Sequence, residues 1–133
     1  ANEARKKILS NRYTTSNMIH HSVKMKKKKK RDAFLAWLWD FEFSKISLPT
    51  PDATIYLELP PKLSLSLVRS RSAETGRKMD IHELDTSYME KCYDAALFSC
   101  DRLSWKRIKC YNGDTIRTID DIAEEIYNEV SRL

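Results

Sequence analysis

Two stretches of this sequence hold side chains of the types that bind a phosphorylated ligand. In the first, Arg12 offers a planar set of donors that can hold a phosphate in two-point contact. Asn17 carries both a donor and an acceptor, which suits the edge of a nucleobase. His20 follows three residues later, on the same helix face if a helix begins near Ser16. On spacing alone, the favoured interpretation is a polar strand-to-helix loop with Thr15 or Ser16 as N-cap.

The second stretch covers residues 69–85. Most of its basic residues lie in its first part, and most of its acidic residues lie in its last part. Arg77 and Lys78 suit a lid over a transferring phosphoryl group, whose charge spreads onto equatorial oxygens and from which water is excluded. The acidic part consists of Asp80, His82, Glu83 and Asp85. Its spacing allows a metal site, but no second histidine and no cysteine lies nearby, so a salt-bridged helix start is favoured for it.

Strand and helix patterns alternate along the chain, which predicts an α/β protein with a parallel sheet. Residues 6–11 are expected to form a short strand with Ile8 and Leu9 buried, so that the first polar stretch follows the carboxyl end of a strand. Residues 53–59 are typical of a strand covered on both faces, and residues 105–111 predict a further strand. Helices are expected over residues 32–46, 63–71, 86–103 and 119–130.

Local signals refine these helices. Asp32 suits an N-cap, Pro61 suits a first helical turn, and Thr118 with Asp121 has the pattern of a capping box. The helix over residues 86–103 carries an apolar stripe, which predicts core packing and inert cysteines. The stripe consists of Met89, Cys92, Tyr93, Ala96, Leu97 and Cys100.

Length and composition place the chain among globular proteins. Its 133 residues predict a single domain, residues 1–133. No apolar run approaches the length of a membrane span, and no signal peptide opens the chain. The three cysteines include no Cys-x-x-Cys pair, so we expect reduced thiols and a cytoplasmic location. The net charge of +5 suits a phosphate-bearing partner.

Two further segments bear on possible partners. Residues 24–31 are a basic run, for which a solvated link between helices is favoured over nucleic-acid binding, because no aromatic side chains interleave with the lysines. Residues 32–46 carry more aromatic surface than one core face needs. They predict either ordinary core packing or a subunit interface.

The glycine content limits what the chain can do alone. A Walker A loop needs glycines, so that successive backbone N–H groups wrap the phosphates, followed by Lys and Ser or Thr. The chain has only Gly76 and Gly113. No stretch of it fits a Walker A loop.

The first polar stretch resembles the substrate loop of thymidylate kinases, where Asp-Arg-Tyr is followed by Ser-Asn or Ser-Thr, then by an aromatic residue and Gln. The corresponding residues here are Asn11-Arg12-Tyr13, Ser16-Asn17 and His20-His21. Residues 48–61 resemble the family's fourth-strand segment, and residues 77–83 resemble its lid. The resemblance extends from Leu9 to the end of the chain, with Asn11 in place of the usual acid and His21 in place of the usual Gln.

This resemblance implies a P-loop nucleotide kinase of three-layer α/β architecture, with its first strands and phosphate loop outside this chain. It implies transfer of the γ-phosphoryl group of ATP to dTMP, giving dTDP, with Mg²⁺, in a cytoplasmic homodimer. Arg12 would hold the dTMP phosphate, Asn17 would hold the thymine edge, and Ser16 would shape the base pocket. His20 would lie beside the deoxyribose, where the family usually has Tyr.

The resemblance also assigns roles in the lid, residues 69–85. Arg71, Arg77 and Lys78 would close over ATP and the transferring group, and Glu83 would order the lid or the substrate. Asn11 stands where an Asp supports the metal and cannot supply that charge. We expect no kinase activity from the 133 residues alone, because they lack a phosphate loop. A related kinase of different base preference, and a non-catalytic remnant or basic nucleic-acid-binding module, remain open alternatives.

Overall fold

The computed structural model of the protein describes residues 6–76, 78 and 85–133. It is a mixed α/β fold that is mostly helical. In chain order, its elements are α1 (Thr15–Ser22), α2 (Lys28–Trp39), a π-helical turn (Asp40–Lys45), β1 (Ile55–Glu58), α3 (Pro61–Thr75), α4 (Thr86–Leu103), β2 (Lys106–Lys109), β3 (Tyr111–Asn112), β4 (Thr115–Ile116) and α5 (Ile119–Ser131).

The strands form two small pairs. β1 and β2 pair in parallel, with Glu58 opposite Lys109, which confirms the predicted parallel pairing. A parallel pair needs a long crossover connection, and α3 and α4 lie between the two strands in the chain. β3 and β4 form an antiparallel hairpin. Its turn contains Gly113 at a φ of +58°, a conformation that glycine adopts without steric cost.

The main core lies where α1, α2 and α4 meet. It is built from Met18, Leu35, Leu38, Cys100 and Trp105. Met18 and Leu35 are fully buried, and burial of each such side chain contributes about 1.5–3 kcal/mol. Since Met18 lies in α1, this core fixes the helix that follows the first polar stretch.

The prediction of a strand over residues 6–11 is wrong. These residues have no regular secondary structure, and Ile8 and Leu9 are 95% and 82% exposed. An apolar pair becomes a strand only where neighbouring strands and a covering layer take it up. In the described part of the chain, both strands of the parallel sheet lie elsewhere.

The helix predicted over residues 32–46 begins earlier and ends differently. It starts at Lys28, and from Asp40 its backbone continues as a π-helical turn. Asp32 is therefore an interior residue of the helix, and not its cap. Its carboxylate instead pairs with Arg102 of α4.

The basic run over residues 24–31 is only partly a link. Its last four residues form the first turn of α2. Arg31 donates hydrogen bonds to the carbonyl groups of Ser22 and Met25, at 3.3 and 3.2 Å, and its guanidinium group lies over the ring of Phe98. Arg31 therefore fixes the turn between α1 and α2.

Most other helix signals are confirmed. α4 has the predicted bounds, Pro61 opens α3, and the Thr118 side chain accepts a hydrogen bond from the Asp121 amide at 3.2 Å. The N-cap of α1 is an exception, because Thr14 occupies that position without a capping side-chain hydrogen bond.

The strand predicted over residues 53–59 is shorter than its apolar run and is not covered on both faces. β1 keeps only the middle of residues 53–59. Leu57 is 49% exposed, while the charged Glu58 is buried. No helix within the described ranges is both long and apolar enough to cross a membrane.

Candidate functional site

A cavity of about 510 Å³ lies between α1, β1, α3 and α4. Arg12, Ser16, Ile19 and His20 line one side of it. The other sides come from Tyr56 and Leu59 in and after β1, from the first half of α3, and from α4. A concave site with a largely apolar wall and a few polar groups is the usual form of a small-molecule site.

Arg12 is held in an unusual backbone conformation at the edge of this cavity. Its φ is +69°, in the left-handed region that residues other than glycine seldom adopt. The Ser10 hydroxyl donates to the Arg12 carbonyl at 2.7 Å, and the Tyr13 hydroxyl donates to the Pro49 carbonyl at 2.9 Å. These two bonds fix the loop on both sides of Arg12.

The Arg12 guanidinium group is exposed and forms no ion pair with any residue that the structure describes. It can therefore form charge-assisted hydrogen bonds with an anionic ligand in the cavity.

His20 lies on the same side of the cavity as Arg12. Partial burial lowers the pKa of His20, and the charges of Arg12 and His21 lower it further. The imidazole is thus mainly neutral at pH 7, with one nitrogen donating and the other accepting. The neighbouring His21 packs against the Phe34 ring, with the centroids 6.4 Å apart.

Aromatic side chains from α4 and β1 form part of the remaining wall. Tyr88 and Tyr93 come from α4, and Tyr56 comes from β1. Burial raises the pKa of Tyr56 to about 12, and burial together with the Glu58 carboxylate raises the pKa of Tyr93. Both phenols therefore stay neutral over the physiological range, and their rings offer flat apolar surface to a ring-shaped ligand.

Glu58 lies directly behind this wall and is 1% exposed. Its carboxylate accepts hydrogen bonds from the hydroxyl groups of Tyr93 and Tyr111 and from Arg107. Burial alone would raise the pKa of Glu58, but the hydrogen bonds from Tyr93 and Arg107 outweigh it and bring the pKa below its usual value. The carboxylate is therefore ionised at neutral pH.

The structure brings only some of the predicted site residues together. Arg12, Ser16 and His20 line the cavity. Asn17 is exposed on α1 and does not line it. Asn11 is also exposed and outside the lining. The predicted contact of Asn17 with a nucleobase thus stays a prediction.

The predicted lid is described only in part. Arg71 lies exposed near the end of α3, and Lys78 is exposed beyond it, and neither lines the cavity. Arg77 and Glu83 lie outside the described residues. The same holds for the acidic residues from 80 to 84.

The side chains described here do not by themselves form a magnesium site. Among them, no group of three or more His, Cys, Asp or Glu residues is arranged to hold a metal ion. Asn11, at the position implied for metal support, offers a neutral amide.

Sequence reasoning missed the wall of the cavity. Met89, Cys92 and Tyr93 were predicted as core, but they are partly exposed and face the cavity. Their spacing marks one helix face, and it cannot distinguish a packed face from one that borders a cavity. Glu58 could have been singled out from the sequence, because it is the single acidic residue within an apolar strand pattern.

The fold and cavity define a mixed α/β protein with a site suited to a ligand that is both anionic and aromatic. Comparison with known proteins adds one relative. The chain is 29% identical over 127 residues to a thymidylate kinase of Limosilactobacillus fermentum, and the match covers 94% of this chain and 55% of that protein.

This match confirms the resemblance to thymidylate kinase as a distant one. The chain spans about half the length of the curated relative that it matches. It matches no established protein-family profile. No solved structure is significantly similar to it.

Proposed function

We propose that this protein binds dTMP in the cavity between α1 and α4 and is the acceptor-binding part of a thymidylate kinase. The observation that carries the proposal is that Arg12, Ser16 and His20 line one cavity together with aromatic rings. Arg12 supplies charge for a phosphate group, and the rings supply flat surface for a base. The similarity to a thymidylate kinase supports the choice of dTMP.

In the proposed reaction, the γ-phosphoryl group of ATP passes to the phosphate of dTMP, giving dTDP. Catalysis of phosphoryl transfer rests mainly on positioning and on stabilisation of charge. Arg12 holds the acceptor phosphate, Ser16 shapes the base pocket and His20 lies beside the deoxyribose. Asn17 contacts the thymine edge if the base extends towards the exposed face of α1.

The proposed lid covers residues 69–85. Arg71, Arg77 and Lys78 close over ATP and the transferring group, where their charges offset the charge on the equatorial oxygens. Glu83 orders the lid or the substrate. Closure also excludes water, which would otherwise compete with dTMP as the acceptor.

The 133 residues do not supply every part that this reaction needs. They contain two glycines and no loop that could wrap the phosphates of ATP. ATP and Mg²⁺ are the cofactors of the proposed reaction, and we expect the chain by itself to bind dTMP without transferring a phosphoryl group to it. Residues 1–133 are, in this proposal, part of one three-layer P-loop nucleotide-kinase domain.

A cytoplasmic homodimer is part of the same proposal. Trp37 and Phe41 stack on each other with their ring centroids 5.4 Å apart, and they are 54% and 39% exposed. Exposed aromatic surface of this kind is enriched in subunit interfaces. The three free thiols, Cys92, Cys100 and Cys110, suit a reducing compartment.

Calorimetric titration of the chain tests the proposed function. We expect dTMP to bind more tightly than dUMP, dGMP and dCMP, and Arg12→Ala to weaken dTMP binding by about tenfold or more, as expected for loss of a charge-assisted contact. Arg132→Ala is the matched control, since it removes the same charge from an exposed arginine at the end of α5.

The possible outcomes separate the alternatives. If the chain binds none of the four nucleotides, or if Arg12→Ala and Arg132→Ala behave alike, the proposed site is wrong. Tighter binding of another nucleotide than dTMP would instead identify a related kinase with a different base preference. Thymidine, which lacks the phosphate, should bind wild type and Arg12→Ala equally.

A further inference from the structure

The buried carboxylate of Glu58 lies at the point where three elements meet. Tyr93 of α4 donates to its Oε1 atom at 2.8 Å, and Tyr111 of β3 donates to the same atom at 3.2 Å. Arg107 of β2 donates a hydrogen bond from Nε to the Oε2 atom at 2.9 Å, and its Nη2 atom lies 2.8 Å from the same oxygen. One side chain at the end of β1 therefore receives donors from α4, β2 and β3.

The cluster borders both the cavity and the β3–β4 hairpin. The Tyr93 ring lines the cavity, while Tyr111 does not and opens the β3–β4 hairpin instead. Leu59, which directly follows Glu58, also lines the cavity. A change in the geometry around Glu58 therefore affects both the cavity wall and the β3–β4 hairpin.

The two phenols share one acceptor atom, which links their positions. Glu58 is 1% exposed, so water cannot readily replace a lost donor. If the Tyr111 hydroxyl is removed, Oε1 keeps Tyr93 as its donor, and the carboxylate is free to move towards Tyr93 or Arg107. Buried polar networks of this kind hold their members in a single arrangement when every member is satisfied.

We propose that Glu58 is a positioning residue that joins the Tyr93 side of the nucleotide cavity to the β3–β4 hairpin through Tyr111. It does not touch the ligand. It holds the Tyr93 ring in the wall and sets the position of the hairpin from the same carboxylate. The link between wall and hairpin stands on the geometry alone, whereas its effect on dTMP binding rests on the proposed function.

The link is tested first without a ligand. Tyr93→Phe removes one hydroxyl group from the cavity wall, and we expect amide hydrogen exchange in the hairpin, residues 111–116, to accelerate by about threefold to tenfold, the equivalent of one hydrogen bond. Tyr127→Phe is the matched control, because Tyr127 is 71% exposed on α5. Unchanged exchange in the hairpin of Tyr93→Phe would overturn the link.

A double-mutant cycle tests whether Glu58 carries the link. In Glu58→Met, the further change Tyr93→Phe should no longer alter hairpin exchange, because the shared acceptor is already gone. If Glu58→Met does not fold, the cycle is run with Tyr93→Phe and Tyr111→Phe, whose effects on exchange should then be non-additive. Additive effects in the cycle that is run would contradict the proposal.

The effect on the cavity is tested with dTMP. Tyr111→Phe should weaken dTMP binding by about threefold to tenfold, although Tyr111 does not line the cavity. Ile108→Val is the control for a purely structural effect, since it trims a buried residue of β2 whose side chain alternates away from that of Arg107. It should lower stability and leave dTMP affinity unchanged.

These experiments keep the two proposals apart. If wild type does not bind dTMP, the proposed function fails, and the exchange measurements still decide whether Glu58 links wall and hairpin. If wild type binds dTMP and Tyr111→Phe binds it equally well, the positioning role fails while the proposed function stands.

Discussion

Arg12 and His20 line the same side of one cavity, and the positive charge of Arg12 helps to keep the His20 imidazole neutral. Two cations in one cavity would repel each other, and a ligand whose phosphate binds Arg12 reduces that cost. The pair is thus suited to a phosphate-bearing ligand whose binding is coupled to protonation of His20.

The first prediction concerns this coupling. The pKa of His20 is lowered from 6.5 in the free protein, and a bound phosphate should raise it, so the imidazole takes up a proton on binding when the pH lies between the two values. We expect net proton uptake with dTMP near pH 6.5 in wild type to exceed that in His20→Gln. Titration calorimetry in two buffers of different ionisation enthalpy measures the number of protons.

His20→Gln is needed as the reference because the phosphate of dTMP has its own pKa of about 6 and also exchanges protons on binding. The difference between the two proteins isolates the histidine. Equal proton uptake by wild type and His20→Gln would mean that the phosphate does not lie near His20.

The second prediction concerns stability in acid. The pKa of Glu58 is lowered from 4.5 in the folded protein, so its ionised form contributes stability that is complete above pH 4.5 and is lost as the pH falls towards the folded value. Glu58→Gln should reduce the free energy of unfolding by about 2 kcal/mol at pH 7, because a neutral amide replaces the charged acceptor of these hydrogen bonds. The difference should narrow below pH 4.5.

Urea unfolding of both proteins at a series of pH values from 7 to 3 tests this second prediction. Asp114→Asn serves as a control, because its carboxylate is 93% exposed and its ion pair with Lys62 is long, at 3.9 Å. A constant difference between wild type and Glu58→Gln over the whole range would show that the charge of Glu58 does not stabilise the fold.

The third prediction concerns the N-terminus of α5. The Thr118 hydroxyl accepts a hydrogen bond from the Asp121 amide at 3.2 Å and so satisfies one of the free N–H groups of the first turn. Thr118→Ala should cost about 1 kcal/mol of stability, while Thr118→Ser, which keeps the hydroxyl group, should cost much less. Urea unfolding at neutral pH compares the three proteins, and equal losses in both variants would exclude a capping role.

Helix ends that depend on neighbouring residues are predicted correctly from the sequence. The Thr118 cap, the opening of α3 at Pro61 and the bounds of α4 follow from side chains within a few positions of the helix end. The strand expected over residues 6–11 was misjudged because strand formation depends on partners that are distant in the chain. The π-helical turn after Trp39 has no sequence signal of comparable strength.

The candidate site was only partly predictable for a similar reason. The sequence predicts a role for Arg12, Ser16 and His20 because their types and spacing suit phosphate and base, and the structure places all three in the lining of one cavity. Which face of α1 meets the cavity is set by Met18, whose burial in the core turns the neighbouring Asn17 outwards. The sequence shows the period of the helix, but only packing fixes its rotation about its axis.

The fourth prediction concerns the proposed homodimer. Trp37 and Phe41 form an exposed aromatic pair on α2 and the π-helical turn, and a buried tryptophan at an interface commonly accounts for a large share of the binding energy. Trp37→Glu should therefore raise the dissociation constant of the dimer by about thirtyfold or more. Sedimentation equilibrium over a range of concentrations measures that constant, with Tyr127→Glu on α5 as the matched exposed aromatic control. Circular dichroism checks that both variants fold. A wild-type chain that stays monomeric throughout, or equal dissociation constants for wild type and Trp37→Glu, would show that this surface does not join two copies of the chain.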